Sequence, residues 1–145
     1  MCHQCNYAEL LASASLESTA NRLRVLEVVG NNRFPLSAAD IYKTLERSSS
    51  INRVTVYRIL DLLVDGGVIE RISTGGRAFY YGLAPNEHHR SHPHFYCTCC
   101  GQMDCLDPES LSVETEPLWK TYPGRIEKVE VRVDGVCKNC LKQNP

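Results

Sequence analysis

The sequence predicts an α+β chain of two small modules. Three observations carry that reading: helical hydrophobic spacing through the first half, two β-prone runs joined by glycines, and a second half rich in cysteine and histidine. The 145 residues have room for two small modules or one compact body, and small modules need staples. Hydrophobic residues make up 43% and the formal net charge is −1, the balance of a globular chain rather than of a strongly polyanion-seeking one. No stretch reaches the roughly 18 uninterrupted apolar residues of a membrane span. Met1-Cys2-His3-Gln4-Cys5 lacks the basic start and apolar run of a secretory signal. A cytoplasmic, non-membrane protein is expected, and in that reducing compartment the eight cysteines point to metal-bound thiolates rather than disulfides.

Tyr7, Leu10, Leu11 and Ala14 follow helical spacing, and a second helix starts after Thr19 with Leu23, Leu26 and Val29 on one face and Gly30 as its close. Ser37-Ala38-Ala39-Asp40 has the form of a capping box, so a third helix carries Ile41 and Leu45 inward. Asn52 is the expected N-cap of a fourth, with Val56, Ile59, Leu60 and Leu63 inside and Gly66-Gly67 as a left-handed stop. Val68 to Ile72 and Arg77 to Tyr81 are β-prone runs around Ser73-Thr74-Gly75-Gly76, a hairpin. Helices followed by a hairpin make a winged helix, assigned to residues 1–83. Composition changes near residue 84, which places a hinge over 84–87 and a second module over 88–145. There, Phe95-Tyr96-Cys97 and Ile126 to Val133 read as strands. A helix is expected between them, from Asp107-Pro108-Glu109, with Pro117 interrupting or restarting it.

Cys97-x-x-Cys100 and Cys137-x-x-Cys140 form the strongest motif. Tetrahedral zinc takes four soft donors, and each two-residue spacing lets one turn present a thiolate pair. Redox pairs or inert thiols are the competing reading, but neither pair lies in a βαβ pattern. Such a site is structural, with no open position for catalysis. His88, His89, His92 and His94 crowd the segment before Cys97. Imidazoles two apart on an extended chain face the same side, so His92 and His94 can share one ion rather than form a solvated loop. The start of the fourth helix offers Arg53, Thr55, Tyr57 and Arg58 to phosphates and base edges, and Arg77 of the hairpin joins that set. From Arg47 to Arg58 there are three arginines and no acid. An ordinary amphipathic helix with a charged outer face is the competing reading. Cys2-His3-x-Cys5 reads as a fraying tail and Cys99 as a bystander thiol. A zinc deaminase would show His-x-Glu before Pro-Cys-x-x-Cys, and a thiol oxidoreductase a thioredoxin-like core. Neither pattern occurs, so no enzyme and no small-molecule substrate are expected.

Leu36-Ser37-Ala38-Ala39-Asp40-Ile41-Tyr42, Val54-Thr55-Val56-Tyr57-Arg58-Ile59-Leu60, Gly67-Val68-Ile69 and His94-Phe95-Tyr96-Cys97-x-x-Cys100-Gly101 follow one another in the order of the ferric uptake regulator superfamily. The chain resembles that superfamily over nearly its whole length, most of all its zinc-uptake branch. The resemblance implies a homodimeric repressor of operator DNA, with the second module as dimerisation domain. It implies structural Zn2+ at Cys97, Cys100, Cys137 and Cys140 and a separate regulatory metal near the hinge. His92 and His94 match paired ligands of the family, Glu70 matches a ligand position of zinc-sensing relatives, and Cys105 stands where a carboxylate ligand is common. A thiolate there favours Zn2+ over Fe2+ or Mn2+. Phe34-Pro35-Leu36 replaces the histidine of iron sensors, Val129 and Glu130 stand where a later histidine is frequent, and Gly82-Leu83 lacks the ligand at the wing's end, for which His88 or His89 substitutes. The expected function is metal-dependent, zinc-responsive repression of metal-homeostasis genes. An iron-, manganese- or peroxide-responsive regulator is the alternative, and a metal buffer without DNA binding a weaker one.

Overall fold

The computed structural model describes residues 6–143, so Cys2, His3 and Cys5 lie outside the described residues. The chain forms two compact units, the first ending at Arg90 and the second beginning at Ser91. The division falls beyond the expected 84–87 hinge for a local reason. Ala84 N–H donates to Val68 O (3.1 Å), and residues 86–89 close a turn in which Asn86 and His89 exchange backbone hydrogen bonds of 2.8 and 3.2 Å. His88 and His89 thereby belong to the first unit.

In the first unit α1 (Tyr7–Ser13) packs on α2 (Ala20–Asn31), and α2, α3 (Ala38–Glu46) and α4 (Arg53–Asp65) pack against a sheet of β1 (Leu36–Ser37), β2 (Ile69–Ser73) and β3 (Phe79–Leu83). Each helix start carries the cap its sequence predicts or allows: Asn6 accepts from Glu9 N–H, Thr19 from Arg22 N–H, Ser37 from Asp40 N–H and Asn52 from Thr55 N–H. The α4 stripe of Val56, Ile59, Leu60 and Leu63 is buried as its spacing predicts, with Leu11, Val25, Leu26 and Ile41 in the same core. Gly67 takes φ +74° after α4, and Gly75 takes φ +83° in the hairpin turn. The strands are antiparallel in the order β1-β3-β2, with Ile69 opposite Leu83 and Ser73 opposite Phe79. The two-residue β1, not foreseen, is paired because Leu36 and Ser37 lie beside Tyr81 and Tyr80.

Gly30 does not close its helix. α2 runs through it to Asn31, and the missing Cβ makes room for a tyrosine: a Cβ there would lie 2.5 Å from the Tyr7 hydroxyl oxygen. That hydroxyl donates to Asn31 Oδ1 at 2.6 Å, so the glycine lets α1 dock on the end of α2.

The second unit holds β4 (His94–Cys97), β5 (Met103–Cys105), α5 (Glu116–Thr121), β6 (Arg132–Gly135) and α6 (Lys138–Gln143). The strand order is β5-β4-β6, antiparallel to β5 and parallel to β6. The strand expected from Ile126 to Val133 is instead Arg132–Gly135, because the four-residue β4 offers partners only from His94 to Cys97. Asp107-Pro108-Glu109 makes a turn, with Glu109 N–H bonded to Asp107 Oδ1 and Ser110 N–H to Asp107 O. The helix starts later, with Pro117 in its first turn, where its missing N–H costs nothing. Buried apolar side chains in this unit, among the described residues, are Pro93, Cys97, Met103, Cys137 and Cys140. Sulfur therefore stands where a hydrophobic core would. No helix among the described residues is long and apolar enough to cross a membrane.

The Gly30 packing has a sign-changing test. Gly30→Ala gains roughly 1 kcal/mol of helix propensity but must displace the Tyr7 ring, at a cost of roughly 1–3 kcal/mol. A lower urea midpoint is expected for Gly30→Ala in the native background. In a Tyr7→Ala background the same substitution should raise the midpoint.

Candidate metal centres and nucleic-acid interface

The end of β4 turns back on itself. Gly101 N–H donates to Cys97 O at 2.9 Å, and Gly101 takes φ +79°, which brings Cys100 over Cys97. Cys137 and Cys140, separated by a single turn leading into α6, face them. Sγ of Cys97 lies 3.8 Å from that of Cys140, and Sγ of Cys100 lies 3.8 Å from that of Cys137. All four sulfurs fall within 4.8 Å of one another. A disulfide requires about 2.05 Å, whereas a tetrahedron with Zn–S of about 2.3 Å has an edge of about 3.8 Å. The sulfurs therefore have the spacing of a metal cage. Backbone N–H groups of Cys100 and Cys137 donate to Cys97 Sγ at 3.4 and 3.3 Å and lower that thiol to about 6. The Cys137 thiol, and then burial, push Cys140 up. One sulfur is thus prepared as an anion while its neighbour resists becoming a second, a conflict that a central dication removes.

The second cluster is built across β4 and β5. His94 and Cys105 are register partners, and the His92 ring lies 4.6 Å from the His94 ring, centroid to centroid, at 56°. One ligand atom from each of His92, His94 and Cys105 lies within 4.8 Å of the others. His94 is buried and Cys105 exposed, so the cluster opens towards solvent. Two imidazoles and a thiol suit zinc, and three ligands leave a tetrahedral ion one position. Glu70, His88 and His89 lie in the first unit. Glu70 is on β2 opposite Gly82. His88 N–H donates to Asn86 Oδ1 at 2.8 Å, with its Nε2 3.3 Å from Glu87 Oε1.

On α4, Arg53, Val54, Tyr57 and Arg58 are exposed and Thr55 is half-buried, its N–H already capped by Asn52. The Arg53 guanidinium lies over the Tyr42 ring at 5.0 Å, so its direction is set from α3. Tyr57 and Arg77 line one open groove of about 400 Å3 between α4, the start of α3 and the hairpin. An arginine and an aromatic ring lining the groove, beside a helix start that carries exposed arginines and no acid, suit duplex DNA. The sequence did not reveal that Asp61 and Phe79 share this groove, because helix periodicity says nothing of the strand it faces. Nor did it reveal the amide donors to Cys97, one from the turn at Gly101 and one from Cys137, which the parallel pairing of β4 and β6 brings alongside.

Comparison with known proteins agrees with this arrangement. A model described as the ferric uptake regulator family matches residues 13–133. The ferric uptake regulation protein of Bacillus subtilis strain 168 is 30% identical over 132 residues, covering 90% of this chain and 89% of that protein. The crystal structure of the Vibrio cholerae ferric uptake regulator superposes with a TM-score of 0.71 at 25% identity, covering 91% of this chain and 100% of that one. A zinc uptake regulator complexed with zinc and DNA shares the fold, with a TM-score of 0.64 at 22% identity over 93% and 90% of the two chains. With a family model that matches residues 13–133, and so reaches through the first unit into most of the second, this chain belongs to the ferric uptake regulator family.

Proposed function

We propose that this metal-responsive, DNA-binding regulator is a zinc-dependent, homodimeric repressor of metal-homeostasis genes. The observation that carries the zinc assignment is the pairing of Cys105 with His92 and His94, since a thiolate among imidazoles prefers zinc to the harder manganese and iron ions. A second zinc ion, structural in role, fits the four-cysteine cage. Glu70 is proposed as a further regulatory ligand, with His88 or His89 completing the set, so that the ion restrains the first unit relative to the second. The family and the exposed face of α4 support operator DNA as the partner, with Arg53, Thr55, Tyr57, Arg58 and Arg77 as the contacting residues.

A second copy of the chain is supported by what the second unit leaves uncovered. Leu118, Trp119 and Tyr122 on and after α5 are exposed, as are Val129, Val133 and Val136 around β6. Apolar area on that scale in one small unit marks a protein interface. Pairing two such units would present two recognition helices to successive major grooves, about 34 Å apart, and restraint by the regulatory ion would favour that spacing.

An iron sensor is the second reading, favoured by the likeness to the ferric uptake regulation protein of Bacillus subtilis. The two readings part at Cys105. A duplex selected by the zinc-loaded protein from a random library serves as probe in titrations with zinc, iron and manganese. Zinc is expected to promote binding at the lowest free concentration, and Cys105→Asp to narrow its lead over manganese by at least tenfold. An unchanged order of metals in the variant contradicts the zinc reading.

A Tyr57→Ala, Arg58→Ala double variant should lose roughly tenfold or more in affinity for that duplex, at about 1–3 kcal/mol per base-directed contact. Elemental analysis should still find both zinc ions. Full DNA affinity in the double variant rules out α4 as the recognition helix.

A further inference from the structure

Asp61 lies one turn beyond Tyr57 on α4, and its carboxylate borders the groove that Tyr57 and Arg77 line. A bare carboxylate there repels phosphate. Arg71, on β2, reaches across to it with Nη2 2.9 Å from Asp61 Oδ1. The same guanidinium lies over the ring of Phe79, 5.2 Å from its centroid. Phe79 begins β3, opposite Ser73, so one arginine joins the recognition helix to both strands of the hairpin.

We propose that Asp61, Arg71 and Phe79 form a brace that sets the angle of the wing against α4, which makes Asp61 and Arg71 positioning residues for DNA binding. The proposal rests on the reading of α4 as the DNA-contacting helix. The Asp61 and Arg71 side chains keep 64% and 36% of their accessible surface, and ion pairs so exposed add little to folding stability. Geometry is what the pair supplies. A planar guanidinium can bond a carboxylate along its edge while its face rests on an aromatic ring, whereas a lysine ammonium cannot reproduce both contacts. The brace also pairs the Asp61 carboxylate that lines the groove, and it holds Phe79 two residues after Arg77 of the hairpin turn.

The competing role for Asp61 is direct readout, since a carboxylate can accept from the amino group of cytosine. Both are tested with the full-length, zinc-loaded protein and the duplex that the wild type selects from a random library. Asp61→Asn and Arg71→Gln are each expected to weaken binding by about tenfold, and the double variant by no more than the weaker-binding single, because one contact is lost in all three. Arg71→Lys should weaken binding too, through loss of the ring contact. Thermal midpoints should stay near the wild type, and the sequence selected by Asp61→Asn should be unchanged. Multiplying losses, unaltered affinity, or a selected sequence altered at a cytosine overturns the brace. A wild type that selects no duplex overturns the DNA-binding reading itself, so the two failures are separable.

Discussion

Four sulfurs at the corners of a zinc-sized tetrahedron are the interaction on which the second unit depends. Its described residues bury Pro93, Cys97, Met103, Cys137 and Cys140 and no Leu, Ile, Val or Phe, so hydrophobic burial within one copy contributes little. Structural zinc in small domains is worth roughly 10–16 kcal/mol in apparent binding free energy, as much as the whole stability of an ordinary domain. The cage ties the end of β4 to the start of α6, and with it the parallel pairing of β4 and β6. His94 begins the strand that Cys97 ends, and Cys105 is placed by pairing with His94. Geometry at the cluster of His92, His94 and Cys105 is therefore downstream of the cage. An ion in the cage would build the platform on which another is proposed to be sensed.

The first unit is assembled on the opposite principle. Leu11, Val25, Leu26, Ile41, Val56, Leu60 and Leu63 form an ordinary apolar core, and capped helices supply their own end groups. Burying one stripe of α4 leaves the other exposed with Tyr57 and Arg58, so the proposed recognition surface is a by-product of amphipathic packing. The division has a functional logic. An apolar core gives the first unit the means to fold without metal, and we propose that metal governs how two such units are presented to DNA.

Legibility in the sequence followed the range of each interaction. Ser37, Asn52 and Thr19 act on amides three residues away, and Gly67 and Gly75 on their own φ, so caps, stops and the hairpin were readable. The cysteine pairs were readable because zinc imposes its spacing within one turn. Gly30 was misread because its partner, Tyr7, sits on another helix. The helix-like signal at Asp107 failed because Asp107 accepts from the Glu109 and Ser110 amides in a closed turn, and the last strand starts later than expected because its pairing is dictated by β4. At the second cluster, the identity of Cys105 was visible but not its register opposite His94. Strand partners far apart in sequence leave no local signature.

Amide hydrogen exchange, followed by mass spectrometry before and after the tightly held zinc is stripped by a strong chelator under reducing conditions, tests the dependence of the second unit on its cage most directly. Peptides covering β4, β5 and β6 should lose their protection, while those covering α2, α3 and α4 keep theirs. Undiminished protection of the second unit in protein shown by elemental analysis to be free of zinc would contradict it.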